Sequence, residues 1–191
     1  MEVHRVERKL KADSKDSILV SIDMQDKVID ITWDHDILRP RATALASICR
    51  ELGVPMIKLE HVPDKMGRTT ETLAAALEGC PAAEKASFSA FGNPDFLRLL
   101  EATPRKQLIM FGVEAHVCLC QSALDAVAAG YKVFVVADAS SSTSPYHRDI
   151  AFERMRHEGI IVATAQSLAF ELVGRADAPE FRRILPYIKN L

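Results

Sequence analysis

The sequence predicts an α/β fold, a three-layer α/β/α sandwich on a doubly wound, mostly parallel sheet of about six strands. Three observations predict it. Short apolar runs alternate with helical patterns along the whole chain. Those runs are near-continuous rather than alternating, as strands covered on both faces require. Helices, not tight turns, separate them, which is what right-handed parallel crossovers need.

The elements follow in order. Ser17–Ile22 is an apolar run ending at Asp23 and reads as the first strand. A helical pattern over 39–52 stops at Gly53. The second strand covers 54–59, with Pro55 near its start, where a missing donor costs least. A short helix over 70–77 ends near Gly79, and a weak third strand covers Ala82–Lys85. Asn93 followed by Pro94 is an N-cap and first helical position, opening a helix to Glu101. Next come a strand over 108–111, a break at Gly112, and a helix that begins about Cys118 and stops at Gly130. A strand over 132–137, a helix over 146–157, a strand over 160–163 and helices over 167–173 and 179–188 complete the chain. At 191 residues, without repeats or a long linker, residues 1–191 read as one domain, with 1–16 a charged N-terminal extension.

Composition narrows the function classes. Hydrophobic residues make up 48% and charged residues 26%, the balance of a globular protein. A net charge of −2 gives no basic field for nucleic acid. No apolar run approaches the roughly 18 residues of a membrane helix, and the charged start does not resemble a secretory signal. Cys49, Cys80, Cys118 and Cys120 lack the CxxC spacing of a zinc site. Four thiols in such a chain suit the cytoplasm better than a disulfide framework.

The chemistry gathers where strands end. In an open α/β sheet, residues just past the strands converge on one edge, and active sites sit at the switch point. Asp23 follows the first strand, Lys85 ends the weak third, and Cys118 follows the 108–111 strand. A thiol at a helix start meets unpaired N–H groups and the positive end of the macrodipole, which favour thiolate. Carboxylate, ammonium and thiol then form a workable nucleophilic site. Each also has a structural reading: Asp23 as a turn residue, Lys85 as a solvated charge, Cys118 as inert packing. Composition and spacing leave both readings open.

Three segments in register resemble the isochorismatase-like cysteine hydrolases: Asp23-Met24-Gln25, Lys85-Ala86-Ser87-Phe88-Ser89-Ala90-Phe91, and Gly112-Val113-Glu114-Ala115-His116-Val117-Cys118. The segment 136–142 fits the same family, and the C-terminal part is most similar to the isochorismatase-domain-containing subgroup. The resemblance implies Asp23 as general base, Lys85 as the cation beside the thiolate, and Cys118 as nucleophile. It also implies a non-proline cis peptide at Val113–Glu114, with the Glu114 and Cys118 N–H groups forming an oxyanion hole. The reaction implied is cleavage of a C–N bond in a small amide through a covalent thioester. The alternative is a catalytically silent or regulatory protein of the same fold that binds a small ligand or partner.

Departures from the family pattern matter too. Nicotinamidases of the family bind a metal through Asp-x-His and a later His; here the segment is Glu60-His61-Val62-Pro63-Asp64, so no metal or other cofactor is expected. Ala115 stands where the family often has Thr, and Cys118 argues against the vinyl-ether chemistry of the isochorismatases proper. Gln25, His61, Phe88 and His116 are the substrate-pocket candidates, with Trp33 and Phe91 as further aromatic walls. Cys120 lies too far round the helix to pair with Cys118. The 140–144 serine run reads as a loop and cap with a possible substrate contact. The expected partners are a small-molecule substrate and further copies of the chain, with no nucleic acid and no membrane.

Overall fold

The computed structural model describes residues 10–191. Six strands form one sheet: β1 (Ser17–Ile22), β2 (Met56–His61), β3 (Ala82–Lys85), β4 (Gln107–Gly112), β5 (Lys132–Val136) and β6 (Ile161–Ala163). Their order is β3-β2-β1-β4-β5-β6, and every neighbouring pair is parallel. The chain winds outward from β1 to β3, then returns to lay β4 against β1. The β1–β4 seam is therefore the switch point, in register from Ser17 opposite Gln107 to Ile22 opposite Gly112.

The helices are α1 (Asp26–Ile29), α2 (His35–Glu51), α3 (Pro63–Met66), α4 (Glu71–Ala76), α5 (Pro94–Glu101), α6 (Cys120–Ala128), α7 (Pro145–His157), α8 (Ala165–Val173) and α9 (Pro179–Ile188). Side-chain alternation assigns the two faces of the sheet. Ile18, Val20, Ile22, Leu108 and Met110 pack with Phe96 of α5, Ala123 of α6 and Phe152 of α7. Leu19, Ile109, Phe111 and Phe134 point the other way, against Leu45 of α2 and Leu168 of α8. Both faces are buried, which is why the strands read as continuous apolar runs.

Some boundaries move. α2 starts at His35 rather than 39, and Pro40 sits inside the helix. Proline there removes one early backbone bond, a loss the rest of a 17-residue helix absorbs. Two four-residue helices, α1 and α3, follow the ends of β1 and β2 directly and carry too little periodicity to be read from sequence. The predicted extension at 1–16 is divided: residues 1–9 lie outside the described residues, while the following segment is docked. Ala12 is buried, and its N–H donates to Glu171 at 2.7 Å. The Asp13 N–H donates to Gln107 at 2.9 Å, at the amino end of β4.

Candidate active site

Asp23, Lys85 and Cys118 meet at the carboxyl edge, across the ends of β1, β3 and β4. Asp23 keeps the sheet ladder going, its N–H donating to Leu59 at 3.0 Å, then turns into the left-handed region at φ 53°. Asp tolerates that conformation better than most residues, and the turn ends the strand at the carboxylate. Lys85, the last residue of β3, reaches across β2 to place its Nζ 2.6 Å from Asp23 Oδ2. Nζ also donates to the Ser87 carbonyl at 3.2 Å. Both side chains are almost wholly buried, so this ion pair works in a low-dielectric interior.

The Cys118 segment leaves β4 through Gly112, at φ 136°. A Cβ there would lie 1.9 Å from the Ile22 carbonyl oxygen, so only glycine lets β4 pass β1 this closely at its end. The Val113–Glu114 peptide is cis. Ala115–Leu119 then forms a π-helical turn, with the Leu119 N–H donating back five residues to the Glu114 carbonyl. The sequence placed Cys118 at a helix start; instead it lies inside this turn, and the regular helix α6 begins at Cys120. Widened turns of this kind recur at functional sites.

Ser122 was not singled out from the sequence. Its hydroxyl donates to the Cys118 carbonyl at 2.6 Å and accepts from the Ala90 N–H at 2.8 Å. It thereby ties the cysteine turn to the loop after Lys85. The signal was a serine four residues beyond Cys118 on an otherwise apolar helix face.

The electrostatics correct the thiolate expectation. Burial pushes the Cys118 thiol up, and the neighbouring Asp23 charge adds to that, reaching about 12 against the pull of Lys85. Desolvation and the Asp23 charge thus favour the neutral thiol over the thiolate. Burial also raises Asp23 above the ordinary carboxylate range, although Lys85 and the Cys118 thiol pull it down. Lys85 takes Asp23 Oδ2, while Oδ1 is buried with no hydrogen-bond partner.

The pocket candidates separate on inspection. His61 stays beside the site: its ring stacks on Phe88 with centroids 5.9 Å apart, and it lies close enough to influence the Asp23 carboxyl. Phe88 is half exposed at the rim. Gln25 does not line a pocket. It is fully buried, accepting from the His61 N–H at 2.7 Å and donating to the carbonyls of His61 at 3.0 Å and Gly67 at 2.5 Å. It clamps the loop after β2 and so positions His61. Glu60 secures the same loop, accepting from the Thr69 N–H at 2.9 Å, Thr69 Oγ1 at 2.7 Å and Arg68 at 2.9 Å.

His116 contacts Ser142 Oγ at 3.0 Å and the His147 ring at 4.8 Å, so its partners lie toward α7. Phe91 packs edge-on against Phe96 at 5.5 Å and belongs to the core rather than to a pocket wall. Trp33 is largely exposed. Ser140, Ser141 and Ser142 are buried and structural: Ser140 Oγ accepts from the Gly112 N–H at 3.2 Å, and Ser141 bonds Asp34. Ser144 caps α7. All four cysteines are free thiols. Among the described residues no group of three or more His, Cys, Asp or Glu side chains is placed to hold a metal ion. None of their helices is long and apolar enough to cross a membrane.

Fold and site together define a doubly wound α/β protein with a carboxylate, an ammonium and a thiol gathered at its switch point. The chain belongs to the isochorismatase family, whose domain matches residues 17–167. Isochorismatase domain-containing protein 2 of Rattus norvegicus is 33% identical over 91% of this chain and 81% of its own length. Among solved structures, YcaC from Pseudomonas aeruginosa with hexane-2,5-diol and covalent acrylamide is similar, with a TM-score of 0.88 and 29% identity over 95% of each chain. The YcaC gene product of Escherichia coli, an octameric hydrolase of unknown specificity, has a TM-score of 0.87 and 27% identity, covering 95% of this chain and 94% of that one. The architecture is that of the isochorismatase-family hydrolases.

Proposed function

We propose that this protein is a cysteine hydrolase that cleaves the C–N bond of a small amide through a thioester on Cys118. The observation that carries the reading is the fully buried Lys85–Asp23 pair, 2.6 Å apart, beside the Cys118 thiol at the switch point. A buried ion pair is costly to assemble and contributes little net stability. Its place against a thiol is better explained by proton transfer.

With the thiol raised to about 12, forming a free thiolate at neutral pH would cost about 7 kcal/mol. Transfer of the proton to Asp23 as the sulfur attacks avoids that intermediate. Sulfur bonds the carbonyl carbon, the carbonyl electrons move to oxygen, and the N–H groups of Glu114 and Cys118 hold the oxyanion. Asp23 passes the proton to the amide nitrogen, the C–N bond breaks and the amine leaves. Water then attacks the thioester and gives a proton to Asp23. That proton returns to sulfur as the acid departs. Lys85 favours the carboxylate form of Asp23 and fixes its orientation.

The similar Pseudomonas protein is described with covalent acrylamide, so a relative of this architecture takes up a small amide-bearing molecule covalently. The octameric neighbour supports a homo-oligomer, and the free thiols fit a reducing cytoplasmic setting. The test is amine release from a panel of small carboxamides, carbamates and ureas, with mass spectrometry for an acyl adduct on Cys118. Wild type should turn over at least one substrate, and Cys118→Ser, folded by circular dichroism, should lose that activity. Equal turnover in both removes Cys118 from the mechanism.

A further inference from the structure

A cavity opens on the α7 side of the cysteine turn. His116 and Cys120, one helical turn apart, face α7 rather than the Asp23 side. With Tyr146, His147, Ile150, Ala151 and Arg154 they line a space of about 160 Å³. His147, Ile150, Ala151 and Arg154 recur at helical spacing, so one stripe of α7 supplies the outer wall. The small Ala151 side chain leaves the hollow, and Cys120 is buried at its floor. Tyr146 and Ile150 form an exposed rim.

We propose that this cavity binds a small anion, a carboxylate or phosphate group on a compact molecule. No carboxylate lines it, while two imidazoles, a guanidinium and a phenol do. The His116 and His147 rings meet at a tilt of 31°, with centroids 4.8 Å apart. Arg154 completes the lining, and among the described residues its guanidinium makes no ion pair. Arg148, earlier on the same helix, is by contrast engaged by Asp34 at 3.0 Å and Asp149 at 3.0 Å.

Glu114 is 3.8 Å from His116 Nδ1 and accepts the Thr143 N–H at 2.8 Å, outside the cavity lining. The positive end of the 13-residue α7 lies beside His147 and adds to the attraction. The Arg154 charge reaches the Cys120 thiol, pulling it down against the larger upward push of burial. A volume near 160 Å³ is below the roughly 300–1,000 Å³ of drug-sized pockets, so size selects a compact ligand. The proposal does not depend on hydrolysis at Cys118.

The test is a nitrogen–proton correlation of the histidine side chains, at constant ionic strength, during titration with inorganic phosphate and separately with benzoate. His116→Asn and His147→Asn supply the assignments. At least one probe should shift the His116 and His147 signals saturably in the millimolar range, and which probe does so separates phosphate from carboxylate. Arg154→Gln, an exposed change that keeps all α7 packing, should weaken binding at least tenfold. Ala151→Val, which fills the hollow without altering charge, should abolish it. No saturation by either probe, affinity within threefold in Arg154→Gln, or uniform shifts of all histidines would overturn the proposal. So would unchanged binding in Ala151→Val.

Discussion

The Lys85–Asp23 pair offers the sharpest perturbation, because its two members can be neutralised separately and together. Lys85→Met keeps much of the stem volume and removes the charge, leaving Asp23 buried against a thiol. At the observed 2.6 Å separation, Coulomb attraction at an effective dielectric of 20 is about 6 kcal/mol. Desolvation of two ions costs several kcal/mol each, so the intact pair is close to neutral for stability. Removing one partner is different: it leaves the other ion buried without compensation, at about 3–5 kcal/mol. Asp23→Asn should cost a similar amount by stranding the ammonium. The double variant Asp23→Asn/Lys85→Met leaves no buried charge, and should be more stable than the sum of the singles by at least about 2 kcal/mol. Urea unfolding of all four proteins at one fixed concentration measures this coupling. Additivity within about 0.5 kcal/mol would mean that the pair is solvated, and the account of the site as a dry ion pair would be refuted.

Three further outcomes are expected. The rate of Cys118 alkylation by iodoacetamide should climb without a plateau through pH 10, because burial and Asp23 hold the thiol near 12; Asp23→Asn should move the curve to lower pH, and a wild-type plateau near pH 7 would contradict the neutral resting thiol. Gly112→Ala should destabilise by about 3 kcal/mol or more, since its Cβ would sit 1.9 Å from the Ile22 oxygen at φ 136°; a thermal melt within two degrees of wild type would show that the β1–β4 seam can give. Although burial works to raise Glu60, the Thr69 N–H and Arg68 outweigh it and hold it below its ordinary value. Its stabilisation is therefore complete above the unfolded value of about 4.3 and lost as pH falls through the lower folded one. The melting-temperature gap between wild type and Glu60→Gln should accordingly be constant above pH 5 and close below pH 4, and a gap that widened on acidification would reverse the sign.

Much of the fold was legible because its determinants are local. Strands covered on both faces must be apolar throughout, so 108–111 and 132–137 announced themselves, and Asn93-Pro94 marked a helix start that the Asn93 side chain caps at Phe96 with a 2.9 Å bond. The candidate site was legible in its membership: Asp23, Lys85 and Cys118 stand at strand ends that a doubly wound sheet brings to one edge. The positions of Gln25, Phe91 and His116 were not, because each depends on neighbours distant in sequence.

By itself, then, the sequence determined the alternation of strand and helix, the mostly parallel winding, and the three residues that share an edge. Tertiary structure alone decided their states. Whether Cys118 rests as thiol or thiolate depends on how completely β1, β3 and the π-helical turn exclude water from it. Whether Lys85 is a surface charge or the buried partner of Asp23 depends on a reach across β2. Periodicity is a property of neighbours in the chain, whereas desolvation and charge pairing are properties of neighbours in space.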